Sequence, residues 1–408
     1  MTGSTSPLIT VLSLYCLILP LVSLLASQGV VPVLVVTALV AGVLAWRSGS
    51  RLRLPDLKVV AVLGLLLVWC FVASFWSVDF ERALLLTGRI TALFAAGTLL
   101  FAVATELDDT ARLRLGRSLA LGMALSLALM AGEIVFGYPL FQTLRPEAME
   151  QADIRVALNR GATAMAILVW PTMASLWACG RGRTAFALLV ATGLVLPFLT
   201  SMAAIIGFAG GAVVAAVAYA HARAGRVVLI IATVAALVVG PFTAKWLHAL
   251  EWQDAPWLSA SAQHRVEIWN FTAELIAEKP IFGWGFDASR HISDVRPQIE
   301  ESGRAAMSLH PHNAPLQILL ELGIVGGLIA LGLTLILIER ISALPRPAGA
   351  CAQAMYASTL LIACTAYGLW QNQWLALMIS AGLAVALTTE SSATPRSRDV
   401  PAVSPARG

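Results

Sequence analysis

The residues with the most to offer chemically are a histidine pair and three arginines. His310-Pro311-His312-Asn313 stands just before an apolar run that begins at Pro315. A neutral histidine can take a proton from a hydroxyl, and such general-base help contributes roughly 10²–10⁴-fold to a rate. His312 is the candidate base and His310 the second choice, with Asn313 placed to orient the ring or hold an acceptor. The tetrapeptide also fits quieter readings, since Asn is a favoured helix N-cap and histidines ligate metals. No second His/Cys cluster completes a zinc site, and no Asp-x-Asp motif offers a seat for a divalent cation. Glu147, Glu150 and Asp153, the nearest approach to a carboxylate cluster, read better as a solvated helix face.

Arginine suits oxyanions, because its planar fork binds phosphate oxygens bidentately and keeps its charge at any relevant pH. Arg265 opens a segment of helical periodicity, and Arg160 sits in Asn159-Arg160-Gly161. Arg89 lies inside an apolar run, six residues from its start, so about 9 Å along a helix. An arginine inside a span faces protein or water and reads as functional by default. Its alternatives are snorkelling to the surface or pairing with Glu133 on the next span. Arg145 and Arg155 are weaker candidates nearby.

The elements that position these residues follow from composition. The 408 residues are 58% hydrophobic and 12% charged, with a mean hydropathy of +0.80. Soluble domains carry about 25% charged residues, so a soluble enzyme of any fold is excluded. Apolar runs of roughly 20 residues, the length that crosses a ~30 Å hydrocarbon core, can be placed at about 8–27, 29–46, 58–76, 83–105, 117–136, 162–179, 184–200, 203–220, 227–243, 315–338, 351–369 and 372–389. The fold expected is an all-α integral membrane protein of about twelve transmembrane helices. Residues 1–7 lack Lys and Arg, so the first run reads as a span rather than a signal peptide.

Charge asymmetry orients the spans. With the N-terminus inside, sixteen of the 27 Lys and Arg fall on inner loops and the tail, whereas the short outer loops hold only Arg82. Both termini are therefore expected in the cytosol. The chain then divides into residues 1–243 with nine spans and an outer loop at 137–161, a periplasmic loop at 244–314, three spans at 315–389, and a disordered tail at 390–408. The five cysteines lie in or beside spans, which leaves no disulfide framework.

The second outer loop is the distinctive one, with five of the six histidines and five of the twelve tryptophans. Tryptophan favours the headgroup level, so the loop is expected on the bilayer surface. Its six cations against nine carboxylates give a net −3, which argues against a general patch for nucleic acid or anionic lipid. Within it, 265–278 reads as an amphipathic helix with Val266, Trp269, Ala273 and Ile276 on one face. Pro280 ends the helix, and Gly283-Trp284-Gly285 gives a flexible turn.

His312-Asn313, followed after nine residues by Gly323-Ile-Val-Gly326, resembles the signature of the O-antigen ligases of Gram-negative bacteria. The helix from Arg265, Pro280 and the Gly-Trp-Gly turn look like the rest of that family's segment, over about 265–326. Many relatives carry Ser-Arg at the start of a middle span where this chain has Ser201-Met202. The resemblance implies a multi-span glycosyltransferase of the bacterial inner membrane, and the missing Asp-x-Asp motif makes a metal-independent enzyme without a cofactor the expectation. It would take polysaccharide from undecaprenyl diphosphate and join it to the lipid A–core oligosaccharide on the periplasmic face. Membrane lipids, and no nucleic acid, are then its partners. Arg160, Arg265 and Arg89 would hold the diphosphate, Asn313 would help bind substrate, and His312 would act as base or as a protonated phosphate ligand. The alternatives are an O-antigen polymerase of the same superfamily and a transporter of lipid-linked glycan. A transporter would bury polar groups near the midplane, and the spans read as poor in them apart from Arg89 and Glu133.

Overall fold

The computed structural model describes residues 6–50, 52–144, 151–297, 307 and 309–389, with 151–157 by backbone only. The sequence candidates Arg145, Glu147, Glu150 and the 390–408 tail lie outside the described residues, as do the side chains of Asp153 and Arg155.

Among the described residues every regular element is helical: α1 (Pro7–Leu25), α2 (Val30–Arg47), α3 (Leu57–Ser74), α4 (Phe80–Thr105), α5 (Asp109–Phe136), α6 (Pro139–Leu144), α7 (Gln151–Ala178), α8 (Gly182–Val195), α9 (Met202–Ala220), α10 (Ala222–Val238), α11 (Gly240–Ala249), α12 (Ala260–Glu278), α13 (Ile292–Val295), α14 (Ala314–Ser342), α15 (Ala348–Ala363) and α16 (Asn372–Thr388). Side-chain oxygens cap many starts, where the first amides lack helical partners. Asp79 accepts from the Arg82 amide at 3.0 Å, Asp108 from Ala111 at 2.8 Å and Ser259 from Ala262 at 3.3 Å.

Eight of these helices are long and apolar enough to cross a membrane, and a ninth arises if α10 and α11, bent by 63° at the break at Val239, form one broken span. Three shorter apolar helices occupy Gly182–Phe198, Ala348–Ala363 and Asn372–Thr388. Each of the twelve apolar runs is thus helical, and the protein is a multi-pass membrane protein. Helix α7 is the axis of the bundle: its apolar stretch is 89% buried, against 22% for the peripheral α3. At its centre Trp170 donates from Nε1 to Ser358 Oγ on α15 at 2.8 Å.

Several boundaries differ from the sequence reading. Helix α7 begins at 151, so Arg160 lies on a helix rather than in a loop before one. Helix α12 begins at Ala260, five residues before Arg265, because Ser259 provides the cap. The largest difference is in α14. It runs from Ala314 to Ser342 but breaks at Gly323, whose φ of +65° and ψ of −167° are not helical.

A break frees carbonyls before it and amides after it, and all must find partners in an apolar setting. The non-helical segment from Pro280 to Gly285 supplies most of them. Leu320 and Glu321 carbonyls accept from the Trp284 and Gly285 amides at 2.8 and 3.0 Å, and Leu322 from Trp69 Nε1 at 3.1 Å. Beyond the break, the Ile324 and Val325 amides donate to Pro280 and Ile281 carbonyls at 2.9 and 3.3 Å. Two backbones can cross this closely only without side chains. A Cβ on Gly323 would lie 2.2 Å from the Ile281 carbonyl oxygen, and one on Gly285 would lie 2.4 Å from Ser77 Cα. Gly283-Trp284-Gly285 is therefore a docked splice, not a flexible turn.

Candidate functional site

The splice fixes a second, polar junction. Glu321, two residues before the Gly323 break, is fully buried. One carboxylate oxygen accepts from Ser289 Oγ at 2.6 Å and Gln317 Nε2 at 3.0 Å, the other from the Asp287 amide at 3.0 Å and Trp370 Nε1 at 2.6 Å. Gln317 in turn accepts from the Leu369 amide at 2.8 Å. This carboxylate ties together the 285–290 turn, the first turns of α14, and the link between α15 and α16. The sequence reading passed over it, although an ionisable group inside an apolar run is a signal of its own.

Above this junction sits the histidine pair. His312 has a left-handed φ of +54°, unusual outside glycine. Its amide donates to His310 Nδ1 at 3.3 Å, and the two rings meet edge to face, 4.2 Å between centroids. His310 is buried, with Nε2 2.9 Å from the Gln371 carboxamide, and Gly368 leaves room for its ring. Burial, with His312, Arg290 and Arg265 nearby, pushes its pKa down to about 3. His310 is neutral at any physiological pH and serves to hold the turn, which leaves His312 as the reactive member.

His312 Nδ1 faces the Ala366 carbonyl oxygen. A carbonyl can only accept, so Nδ1 carries the hydrogen and Nε2 keeps its lone pair. Burial also pulls the His312 pKa below its ordinary value, and the charge of Arg265 adds to this, against the raising effect of the Ala366 contact. The ring is thus a neutral acceptor near pH 7. Asn313 takes the quieter role weighed for it: its Oδ1 caps α14 by accepting from the Leu316 amide at 3.1 Å. Its Nδ2 is left for other partners.

Helix α12 brings Arg265 to this turn. Val266, Ala273 and Ile276 are buried as the periodicity requires. Trp269, four residues on from Arg265 and so on the same face, donates from Nε1 to the Pro311 carbonyl at 2.8 Å. Arg265 is half-buried beside both histidines. The other two arginines are placed differently. Arg160 is exposed on α7 and shares a narrow crevice with Tyr367 and Gln373. Tyr367 hydrogen-bonds Thr163 at 2.7 Å. Arg160 and His312 therefore flank the same α15–α16 link without touching. Arg89 is exposed on α4, and Glu133 does not pair with it: that carboxylate accepts from the Leu140 and Phe141 amides at 3.1 and 3.0 Å. Ser201 caps α9 through the Ala204 amide at 3.3 Å, and Thr200 beside it donates to Asn159 at 3.0 Å. Among the described residues no three His, Cys, Asp or Glu side chains group as metal ligands.

Residues 185–331 match a family model described as O-Antigen ligase. The chain's family resemblance is to the O-antigen ligases. The matched stretch holds Arg265, His310, His312, Glu321 and the Gly323 break, while Arg89, Arg160 and the α15–α16 link lie outside it. Over a longer range the chain is 26% identical to a Rickettsia conorii protein named "Putative polysaccharide ligase", across 78% of this chain and 77% of that one. A protein of the same name from Rickettsia felis is 26% identical over 75% of each. One from Rickettsia typhi is 29% identical over 53% of this chain and 55% of its own. The stretch that resembles the O-antigen ligases thus includes the segment where the histidine turn and the backbone splice meet.

Proposed function

We propose that this protein is a metal-independent glycosyltransferase that moves a polysaccharide from undecaprenyl diphosphate to a sugar hydroxyl of the lipid A–core, at the periplasmic face of the inner membrane with both termini in the cytosol. The observation that carries the reading is the state of His312: Nδ1 donates to the Ala366 carbonyl, and Nε2 offers a lone pair beside the cation Arg265. In the reaction, His312 Nε2 takes the proton of the acceptor hydroxyl as its oxygen bonds to the anomeric carbon. The bond from that carbon to the diphosphate breaks, and its electron pair stays on the phosphate oxygen. Arg265 stabilises the added charge, and the proton on His312 passes to the departing diphosphate or to water. Arg160 stands across the α15–α16 link, where it can meet the donor's far phosphate or its sugar, and Asn313 Nδ2 can meet the acceptor.

The test is reconstitution in liposomes with purified undecaprenyl-diphosphate glycan and lipid A–core. The expected product is glycan on lipid A–core, unchanged by excess chelator. Chain growth on undecaprenyl diphosphate alone would make the protein a polymerase, and donor flipped without any transfer would make it a transporter. Loss of transfer in EDTA, restored by Mg²⁺, would overturn the metal-free mechanism.

A further inference from the structure

The turn that Glu321 anchors carries one more cation, which the sequence reading counted only as loop charge. Ser289 Oγ donates to Glu321 at 2.6 Å and lies 3.5 Å from the Leu309 carbonyl oxygen, so the 287–290 turn lies alongside the chain entering the histidine pair. Arg290, next along that turn, is thereby brought to His310, where its charge is felt together with that of Arg265.

Its surroundings hold the guanidinium by an ion pair with Asp287 that is too long to be a hydrogen bond. Asp287 has a left-handed φ of +58°, is buried, and receives Arg82 Nε on Oδ2 at 3.0 Å. Its other oxygen is 4.0 Å from Arg290 Nε, beyond hydrogen-bond length, and that Nε is buried with no hydrogen-bond partner. A buried guanidinium N–H without an acceptor costs desolvation, and the group that repays it best is an oxyanion on the planar fork. Burial raises the Asp287 pKa while Arg290 and Arg82 lower it, so two arginines share the carboxylate's charge and Arg82 is the one that hydrogen-bonds it.

We propose that Arg290 is a phosphate-binding residue that grips the donor's diphosphate beside the histidine turn, together with Arg265, with Asp287 as the residue that positions it. This deepens the transferase reading and rests on it. Two arginines on one diphosphate together offset the charge that the leaving group gains. Phosphates of the lipid A acceptor share the same chemistry, and kinetics separates the two sources.

The experiment uses the full-length protein in nanodiscs with undecaprenyl diphosphate as the probe, comparing wild type, Arg290→Gln and Arg290→Lys, with thermal stability measured beside each. Arg290→Gln is expected to weaken binding on the order of 10- to 100-fold, the loss typical of a charge-assisted contact. Arg290→Lys should recover part of that loss, and both variants should melt within a few degrees of wild type. In the transfer assay the KM for donor should rise while that for lipid A–core stays unchanged. A raised KM for lipid A–core alone would reassign Arg290 to the acceptor and overturn the donor assignment. Wild-type affinity in Arg290→Gln would leave the residue a structural cation. Should Arg290→Gln fail to fold, wild-type affinity in Arg290→Lys would overturn the proposal, because an ammonium cannot reproduce the fork. If wild type itself binds no undecaprenyl diphosphate, the transferase reading falls, and this proposal with it.

Discussion

At the scale of single residues, two histidines two positions apart have opposite environments and so opposite duties. His310 is buried and stays neutral, whereas His312 has one nitrogen on a carbonyl and the other free to accept. A base works only when unprotonated, so turnover should fall as pH drops through the His312 pKa, which burial and Arg265 hold below the ordinary value of about 6.5. His312→Ala should lose roughly 10²–10⁴-fold in kcat with little change in donor affinity, since the proton moves only in the transition state. Turnover and donor binding between pH 5 and 9 check this. Activity that falls with rising pH, with weak donor binding in the alanine variant, would instead make His312 a protonated phosphate ligand. Arg265→Lys keeps the charge but loses the fork, so donor affinity should drop about tenfold or more. A lysine variant with normal turnover at normal protein levels would reduce Arg265 to a surface cation.

At the scale of elements, the site depends on a helix that has to break. Gly323→Ala forces an L-residue to φ +65° with its Cβ against the Ile281 carbonyl. Backbone strain alone costs on the order of 1–3 kcal/mol, and the clash adds to it. Loss of folded protein by thermal melt or size exclusion is expected. Gly332→Ala, on the same helix with open space around it, should be neutral or stabilise by about 0.5–1 kcal/mol. Equal behaviour of the two variants would show that the splice does not matter. The contrast also shows what the chain made legible. Each apolar run became a helix, and Asn313 is the cap its type suggested, because span length and capping are local properties. The crossing of Gly323 with Gly283 is a contact between segments forty positions apart, and no local pattern records it. Glu321 was visible as a charge inside an apolar run, but its four donors come from three separate segments. Arg160 and Arg265 stand out by residue type alone, whereas the position of Arg290 exists only once the 287–290 turn is docked.

At the scale of the whole molecule, the question is which helices cross. An even count of twelve puts both termini on one side and every long outer segment on the other, as the proposed periplasmic site requires. The three shorter helices decide the count. Helix α8 with the turn after it, Gly182–Phe198, has 17 residues. It therefore spans about 26 Å at 1.5 Å per residue, just short of a ~30 Å hydrocarbon core. Local thinning of the bilayer costs only fractions of a kcal/mol per ångström, so a slightly short helix still crosses. If it does, Arg181 before it and Thr200 after it face opposite compartments. Both side chains are exposed, and the native cysteines are buried or half-buried, so single Arg181→Cys and Thr200→Cys variants in a cysteine-free background give a clean readout. In intact spheroplasts, a membrane-impermeant maleimide should label Thr200→Cys and Trp257→Cys but spare Arg181→Cys until the cells are lysed. Labelling of Arg181→Cys and Thr200→Cys from the same side would mean that α8 is re-entrant. That outcome would contradict the 3.0 Å bond between Thr200 and Asn159, which sets Thr200 at the Arg160 end of α7, and would break the single site proposed for Arg160 and His312.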